Sequence, residues 1–275
     1  MSRVAHRMPA TNFGPPSTSK EAGLSDTPSG RTIHVVLPAY NEANSIGSVL
    51  KSLENTRREI GISLHAIIVD DGSFDATKGV VRGHRGTLPV TLIEHPGNMG
   101  LGAAIRSGLL RAVEVSCDRD IIVTMDADDT HAPALIAQMI VLIDEGMDVL
   151  IASRYQRGSA VVGVPVVRRF LSYAASILFR TVFPIRGVKD FTCGYRAYRA
   201  PVLRTAFARY RDEFINEEGF QCMVDILLKL RPLNLRFGEV PLVLRYDRKG
   251  GKSKMRVVRT AFKTLGLLAR RRAGL

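Results

Sequence analysis

Short apolar runs alternate with amphipathic stretches along the first 155 residues or so of this chain. Thr32–Leu37 (TIHVVL), Leu64–Val69, Val90–Ile93, Ile121–Met125 and Val149–Ser153 are apolar and of strand length. Between the first two, Ile46, Val49, Leu50 and Leu53 recur at i, i+3, i+4 and i+7, the signature of one helix face. A shorter helical stretch covers Ala76–Val81, and a longer one Leu101–Val115. Leu135, Met139 and Leu142 stripe another helix, with Ile136, Ile140 and Ile143 beside them. Strands alternating with helices predict an α/β fold, a parallel sheet covered on both faces.

After Arg154 the pattern changes. Val166–Phe183 has helical length but carries Arg168, Arg169 and Arg180. Asp190–Tyr198 (DFTCGYRAY) reads as a loop leading into a strand, Glu218–Leu230 as a helix and Val240–Leu244 as a strand. Tyr246–Ser253, rich in Gly and Lys, reads as a mobile loop before a last helix, Met255–Leu268. The first thirty residues are polar, rich in Ser, Thr, Pro and Gly, and read as a disordered tail without a secretory signal. No apolar stretch reaches membrane-spanning length, and there is no internal repeat.

Composition sharpens this outline. With 275 residues, 45% of them hydrophobic, the chain can bury a full core. Its net charge of +13 favours an anionic partner: nucleic acid, a membrane surface or a polyanionic substrate. A basic solvated surface would carry the same charge. Cys117, Cys193 and Cys222 are too scattered for a disulfide framework or a zinc site, and read as reduced cytosolic thiols.

Three polar motifs stand just after strands: Pro38-Ala39-Tyr40-Asn41-Glu42, Asp70-Asp71-Gly72-Ser73 and Asp126-Ala127-Asp128. Ligands of open α/β sheets bind beyond the carboxyl ends of the strands, so these motifs point into one crevice. Asp126 and Asp128, alternate residues on extended chain, can face one hard divalent ion. The competing reading is a solvated acidic turn before a helix capped by Asp129 or Thr130. Asp70 is free at its strand end to accept from a base or ribose, unless the aspartates of that motif are all turn and cap residues.

Gly97-Asn98-Met99-Gly100-Leu101-Gly102 lacks the third glycine of a dinucleotide fingerprint. It survives as a small-residue helix N-terminus near an anionic ligand. Gly250-Gly251-Lys252-Ser253 lacks the first glycine of a P-loop and reads as a flexible basic loop. Arg154, Arg168, Arg169, Arg196, Arg245, Lys252 and Lys254 follow or flank the crevice, where arginine forks suit phosphate. The two basic apolar helices fit either an anionic membrane surface or ordinary core packing with snorkelling arginine stems. A nucleic-acid binder would explain the charge but not the strand-end carboxylates, and Trp is absent as a stacking platform.

Taken in order, VVLPAYNEA (35–43), IIVDDGSFDAT (67–77), HPGNMGLGAAIRSG (95–108), VTMDADDTHAP (123–133), ASRY (152–155), DFTCGYRAY (190–198) and RKGGKSKM (248–255) resemble a family 2 glycosyltransferase of GT-A fold. Within it the chain is most similar to the dolichol-phosphate mannosyltransferases and related polyprenyl-phosphate sugar transferases. The resemblance covers roughly Arg31 to Met255. It implies a disordered tail over 1–30, a GT-A domain over 31–245, and a basic loop and amphipathic helix over 246–275.

It also implies roles. Pro38, Tyr40, Glu42 and Asp70 would hold the nucleoside of an NDP-sugar. Asp126 and Asp128 would form the acidic motif that binds Mg²⁺ or Mn²⁺, with Asp128 the direct ligand. Arg154, one or both of Arg168 and Arg169, Ser172 and Arg245 would face the acceptor phosphate, and Lys252 and Lys254 would lie in a loop that closes over the substrates. The implied reaction is inverting transfer of a hexose to a polyprenyl or dolichyl phosphate. GDP-mannose is the leading donor and UDP-glucose the second. The expected location is peripheral, on the cytoplasmic face of a membrane, directly or through an anchoring subunit, with no nucleic-acid partner.

Overall fold

The computed structural model of this protein describes residues 30–164, 166–248 and 266, without the side chains of 166–171 and 248. The expectations for the tail, for Lys252 and Lys254 and for a helix over Met255–Leu268 lie outside the described residues, as do those for the side chains of Arg168 and Arg169.

In chain order the elements are β1 (Thr32–Ala39), α1 (Ile46–Ile60), β2 (Ser63–Asp70), α2 (Thr77–Arg82), β3 (Val90–Glu94), α3 (Leu101–Val115), β4 (Ile121–Thr124), α4 (Leu135–Asp144), β5 (Val149–Ser153), β6 (Ala160–Val162), α5 (Val166–Val182), β7 (Arg196–Arg199), α6 (Ala200–Tyr210), α7 (Gln221–Leu230), β8 (Phe237–Pro241) and β9 (Val243–Arg245). Seven strands form one sheet in the order β3-β2-β1-β4-β7-β5-β8, while β6 and β9 pair separately. The sheet is parallel except for β7, which runs antiparallel to both β4 and β5. Continuous burial along Ile33–Leu37, β4 and β5 means that both faces are covered, as the apolar runs predict. Each such large side chain contributes about 1.5–3 kcal/mol.

Three departures from the sequence pattern have local causes. Helix α6 buries only Ala200, Val202, Leu203 and Ala206, a stripe too small to register as amphipathic. Strand β6 is three residues long, half-exposed, and exists because β9 pairs with it. The single strand expected over Val240–Leu244 breaks at Leu242, whose N–H donates to Ser153 O at 3.0 Å, leaving β8 in the large sheet and β9 in the small one.

Helix α3 meets the 217–218 segment at backbone distance. Gly102 N donates to Glu218 O at 2.9 Å, and a Cβ on Gly102 would fall 1.8 Å from Glu217 O. Gly102→Ala therefore forces two backbones apart and should cost about 1–3 kcal/mol or more. Urea denaturation checks this; an unchanged midpoint would contradict the packing.

At the other end of the sheet a buried chain links three strands. Asp120 accepts Thr32 N–H at 2.9 Å and Cys117 N–H at 2.8 Å and lies 3.3 Å from His34 Nε2. His34 Nδ1 is 3.2 Å from His65 Nδ1, and His65 Nε2 is 2.9 Å from Thr91 Oγ1. The carboxylate only accepts, so His34 carries its hydrogen on Nε2, His65 donates from Nδ1, and Thr91 donates to His65. Both rings are then neutral, and a proton added to His34 Nδ1 sets two N–H groups against each other, whereas one added to His65 Nε2 makes the Thr91 hydroxyl turn from donor to acceptor. Burial holds both rings below the ordinary histidine value of 6.5, with Asp120 opposing part of the effect at His34. Unfolded rings therefore take up protons first as pH falls, so the full stability is present above 6.5 and declines below it. The free energy of unfolding should be lower at about pH 5.5 than at about pH 7.5, and His65→Gln should shrink that difference. Equal pH dependence in the variant would remove His65 from the account.

Candidate active site

The loops after β1 and β2 form one unit. Asn41 N donates to Ser73 Oγ at 2.8 Å, Phe74 N to Asn41 Oδ1 at 3.0 Å, and Glu42 N to Thr77 Oγ1 at 2.8 Å. Pro38 is the penultimate residue of β1, Tyr40 meets Phe74 edge-on at 6.1 Å, and Glu42 accepts from Ser45 Oγ at 2.9 Å. Phe74 is 83% exposed, an aromatic edge of the crevice that the sequence pattern does not single out.

Asp70 is fully buried rather than open at the strand end. Its Oδ2 accepts Ser73 N–H at 3.0 Å, while Oδ1 is buried with no hydrogen-bond partner. Asp71 turns to the glycine-rich segment, accepting Met99 N–H and Gly100 N–H, each at 2.9 Å, and facing His95 Nδ1 at 2.8 Å. Gly72, at φ +71°, packs so tightly that a Cβ would lie 2.3 Å from Gly97 C. The expectation that small residues leave this helix N-terminus open to an anionic ligand is corrected. Asp71 already takes the N–H groups of Met99 and Gly100, and the Glu218 carbonyl that of Gly102.

The acidic motif leaves β4 where Met125 N still donates to Val36 O at 3.0 Å. Asp126 N donates to His131 Nδ1 at 3.2 Å; His131 stacks on Tyr195 at 5.1 Å, and Tyr195 donates to Ala132 O at 3.1 Å. Asp128 Oδ1 accepts from Thr130 N at 3.2 Å and from Thr130 Oγ1 at 2.6 Å. The Asp126 side chain is 42% exposed, whereas Asp128 is 7% exposed. Helix α4 starts at Leu135, so neither Asp129 nor Thr130 caps it, and Asp129 instead accepts from Ser48 Oγ at 3.2 Å. The carboxylate pair is a hard-oxygen donor set that fits Mg²⁺ or Mn²⁺. Among the described residues no cluster of three or more His, Cys, Asp or Glu side chains completes a cage. Water and substrate oxygens would supply the remaining ligands, as such ions favour.

The basic residues divide sharply. Arg154 forks onto Asp190, with Nε at 2.8 Å from Oδ2 and Nη2 at 2.7 Å from Oδ1, and its N–H also donates to Asp190. Burial disfavours charge on both groups, but their mutual attraction outweighs it: Asp190 is held below the usual carboxylate range and Arg154 above its ordinary value. Glu239 accepts Lys189 N–H at 2.5 Å and Asp190 N–H at 2.7 Å, and burial pushes its own carboxyl upward. Arg154 also lies 5.5 Å from the Tyr155 ring, whose hydroxyl meets Ser172 Oγ at 2.7 Å.

Arg245 N donates to Thr130 O at 3.1 Å, tying β9 to the acidic loop, while its guanidinium forks onto Asp247 at 2.8–2.9 Å. Arg196 does not belong to this rim. It is wholly buried and donates to the carbonyls of Cys193, Met223 and Phe191 at 2.6–2.9 Å. Antiparallel β7 starts at the crevice end of the sheet, where Arg196 pairs with Thr124 of β4, but its side chain turns inward to those carbonyls, a direction that a list of basic residues cannot reveal.

Asp190, Glu239 and His131 were missed as supports of the site. Asp190 lies in the DFTCG segment that read simply as a loop, and its partner Arg154 is 36 residues away.

Residues 34–207 match the family described as Glycosyl transferase family 2. A polyprenol monophosphomannose synthase of Mycolicibacterium smegmatis is 32% identical over 83% of this chain and 82% of its own length. An undecaprenyl-phosphate mannosyltransferase of Micrococcus luteus is 30% identical over 80% of this chain and 86% of its own length. A dolichol-phosphate mannosyltransferase of Pyrococcus furiosus is 30% identical over 72% of this chain, which spans only 52% of that relative. Among solved structures, glucosyl-3-phosphoglycerate synthase of Mycobacterium tuberculosis, in complex with Mn²⁺, UDP-glucose and phosphoglyceric acid, superposes with a TM-score of 0.65. That match covers 96% of this chain and 86% of the other at 20% identity, a likeness of fold. The motifs, the mixed sheet and the extent of these matches agree: the chain belongs to glycosyl transferase family 2.

Proposed function

We propose that the protein transfers a hexose, mannose from GDP-mannose, with inversion, to a polyprenyl or dolichyl phosphate at the cytoplasmic face of a membrane. The observation that carries this reading is the bond from Arg245 N to Thr130 O, which joins an arginine-bearing strand to the acidic loop. Carboxylates for a metal and an arginine for a phosphate would thus share one rim. The names of the three relatives favour the same sugar and acceptor class.

Pro38, Tyr40 and Glu42 would flank the nucleoside, and Asp70 Oδ1 still lacks a donor that a nucleoside N–H or O–H could provide. A Mg²⁺ or Mn²⁺ held by Asp126 and Asp128 supplies Lewis-acid neutralisation of the diphosphate. The acceptor phosphate is itself an anionic nucleophile, so no side chain need act as its base. The task left to the protein is to bring two anions together. Asp190 takes Nε and Nη2 of Arg154, and Thr192 Oγ1 also accepts from Nη2, so Arg154 would meet the phosphate with Nη1, beside Ser172 and one or both of Arg168 and Arg169. Arg245 would exchange Asp247 for the phosphate, and Lys252 and Lys254 would close over it. Oriented positive charge of this kind acts most strongly where water is excluded. Among the described residues no helix is long and apolar enough to cross a membrane. With a net charge of +13, the protein would act peripherally, by its basic surface or an anchoring subunit.

A second donor, UDP-glucose, is favoured by the fold neighbour solved with that nucleotide sugar. The deciding assay mixes purified protein, Mg²⁺ or Mn²⁺, polyprenyl-phosphate vesicles and radiolabelled GDP-mannose, with UDP-glucose in parallel. Metal-dependent label in the organic phase identifies the reaction and its sugar. No lipid label from either donor, with folded protein, overturns the reading. Arg245→Ala should raise the KM for lipid phosphate about tenfold or more, the loss of one charged hydrogen bond, and leave the donor KM nearly unchanged. Equal weakening of both would remove Arg245 from the acceptor side.

A further inference from the structure

The carboxylate of Asp71 also completes an arrangement that glycosyl transfer leaves unused. Its Oδ1 lies 2.8 Å from His95 Nδ1, and His95 Nε2 lies 2.9 Å from Ser107 Oγ on α3. A carboxylate only accepts, so His95 carries its hydrogen on Nδ1. Nε2 is then the acceptor and the Ser107 hydroxyl donates to it. This is the tautomer in which an imidazole can withdraw a serine proton. The His95 and Asp71 side chains are only 8% and 5% exposed, so the ring is held in place. The Met99 and Gly100 N–H groups fix the carboxylate in turn.

Ser107 lines a cavity of about 180 Å³ with Met99, Ala103, Arg106, Glu217 and Glu218 among its walls. Arg106 pairs with Asp212 through Nη2, yet its Nε is buried with no hydrogen-bond partner. A guanidinium in the same wall as a base-coupled hydroxyl suits the negative charge that develops on an attacked carbonyl.

We infer that Asp71, His95 and Ser107 form a nucleophilic triad, and that the adjoining cavity is a hydrolytic site for small neutral acyl esters. The volume admits an acetyl-sized group. Glu217 and Glu218 in the wall disfavour an anionic ester by like-charge repulsion. Ser107 Oγ attacks the carbonyl carbon as its proton passes to His95 Nε2. The ester C–O bond breaks, and the leaving oxygen takes that proton and departs as the alcohol. Water then repeats the sequence on the acyl-serine, releasing the carboxylic acid and restoring the hydroxyl.

The test treats the full chain with a fluorophosphonate probe and locates the adduct by peptide mass spectrometry, with p-nitrophenyl acetate hydrolysis in parallel. Stoichiometric label on Ser107 is expected. Ser107→Ala should lose both the label and the metal-independent ester hydrolysis. His95→Gln should slow labelling of Ser107 about 100-fold or more, the worth of a general base. Absence of label on Ser107 in the folded wild type overturns the inference whatever the variants do. So does equal labelling in His95→Gln, which would leave His95 a mere clamp on the 95–100 turn.

Discussion

Asp128→Asn should lower turnover about 1,000-fold, the loss of several kcal/mol of charge stabilisation, with little change in unfolding midpoint. Asparagine keeps the shape of the side chain. Its carbonyl oxygen still accepts from Thr130 N and Thr130 Oγ1, the two bonds that shape the loop. What disappears is a negative charge at the carboxyl end of β4, where the proposed reaction needs a cation held against the diphosphate. Initial rates with matched Mg²⁺ or Mn²⁺ check this, alongside thermal denaturation. Near-normal turnover would remove the metal role from Asp128. A collapse in stability would show that the loop needs the charge for itself.

The largest effect on stability is expected at Asp190. It is wholly buried and gathers Arg154 N, Nε and Nη2, with the N–H groups of Thr192 and Cys193 at 3.1–3.2 Å. Asp190→Ala leaves a mostly buried guanidinium without its counter-charge, and breaking such a pair from one side costs about 3–5 kcal/mol. Linkage gives the same sign: the depressed Asp190 carboxyl contributes stability above its unfolded value of 3.8 that is lost as pH falls through the folded one. Urea denaturation of wild type and variant near neutral pH measures the difference. A wild-type midpoint would mean that Arg154 finds solvent or another acceptor when Asp190 is gone.

These two aspartates differ in how far the chain announces them. Asp128 follows an apolar run that can only be a buried strand, so its place at the sheet's carboxyl edge follows from local pattern. The same logic locates Pro38, Tyr40 and Glu42, and the strands and α3 fall close to where periodicity puts them. Asp190 sits in a stretch without periodicity, and its meaning comes from a partner supplied by the end of β5. Arg154 and Arg196 look alike as residues. One forks onto a carboxylate at the rim and the other spends its donors on buried carbonyls. Reversed β7 brings Arg196 to the crevice end of the sheet, level with Thr124, so only the inward turn of its side chain separates the two, and four residues reading Arg-Ala-Tyr-Arg carry no mark of that turn. Asp70 illustrates the converse: its position at the end of β2 was readable, its complete burial was not.

The insertion of β7 between β4 and β5 also bears on the order in which the molecule can assemble. As the chain leaves the ribosome, β1 to β4 can pair at once, because every partner is already made. The far edge of β4 then stays open until Arg196–Arg199 emerges, and β5 must wait for β7 and for β8. For that interval the nascent chain presents two apolar strands with unpaired backbone, the kind of edge that recruits neighbouring chains. A ribosome pausing before residue 196 would prolong this exposure. One pausing just after the C-terminal end of α6 has emerged would allow β4, β7 and β5 to join.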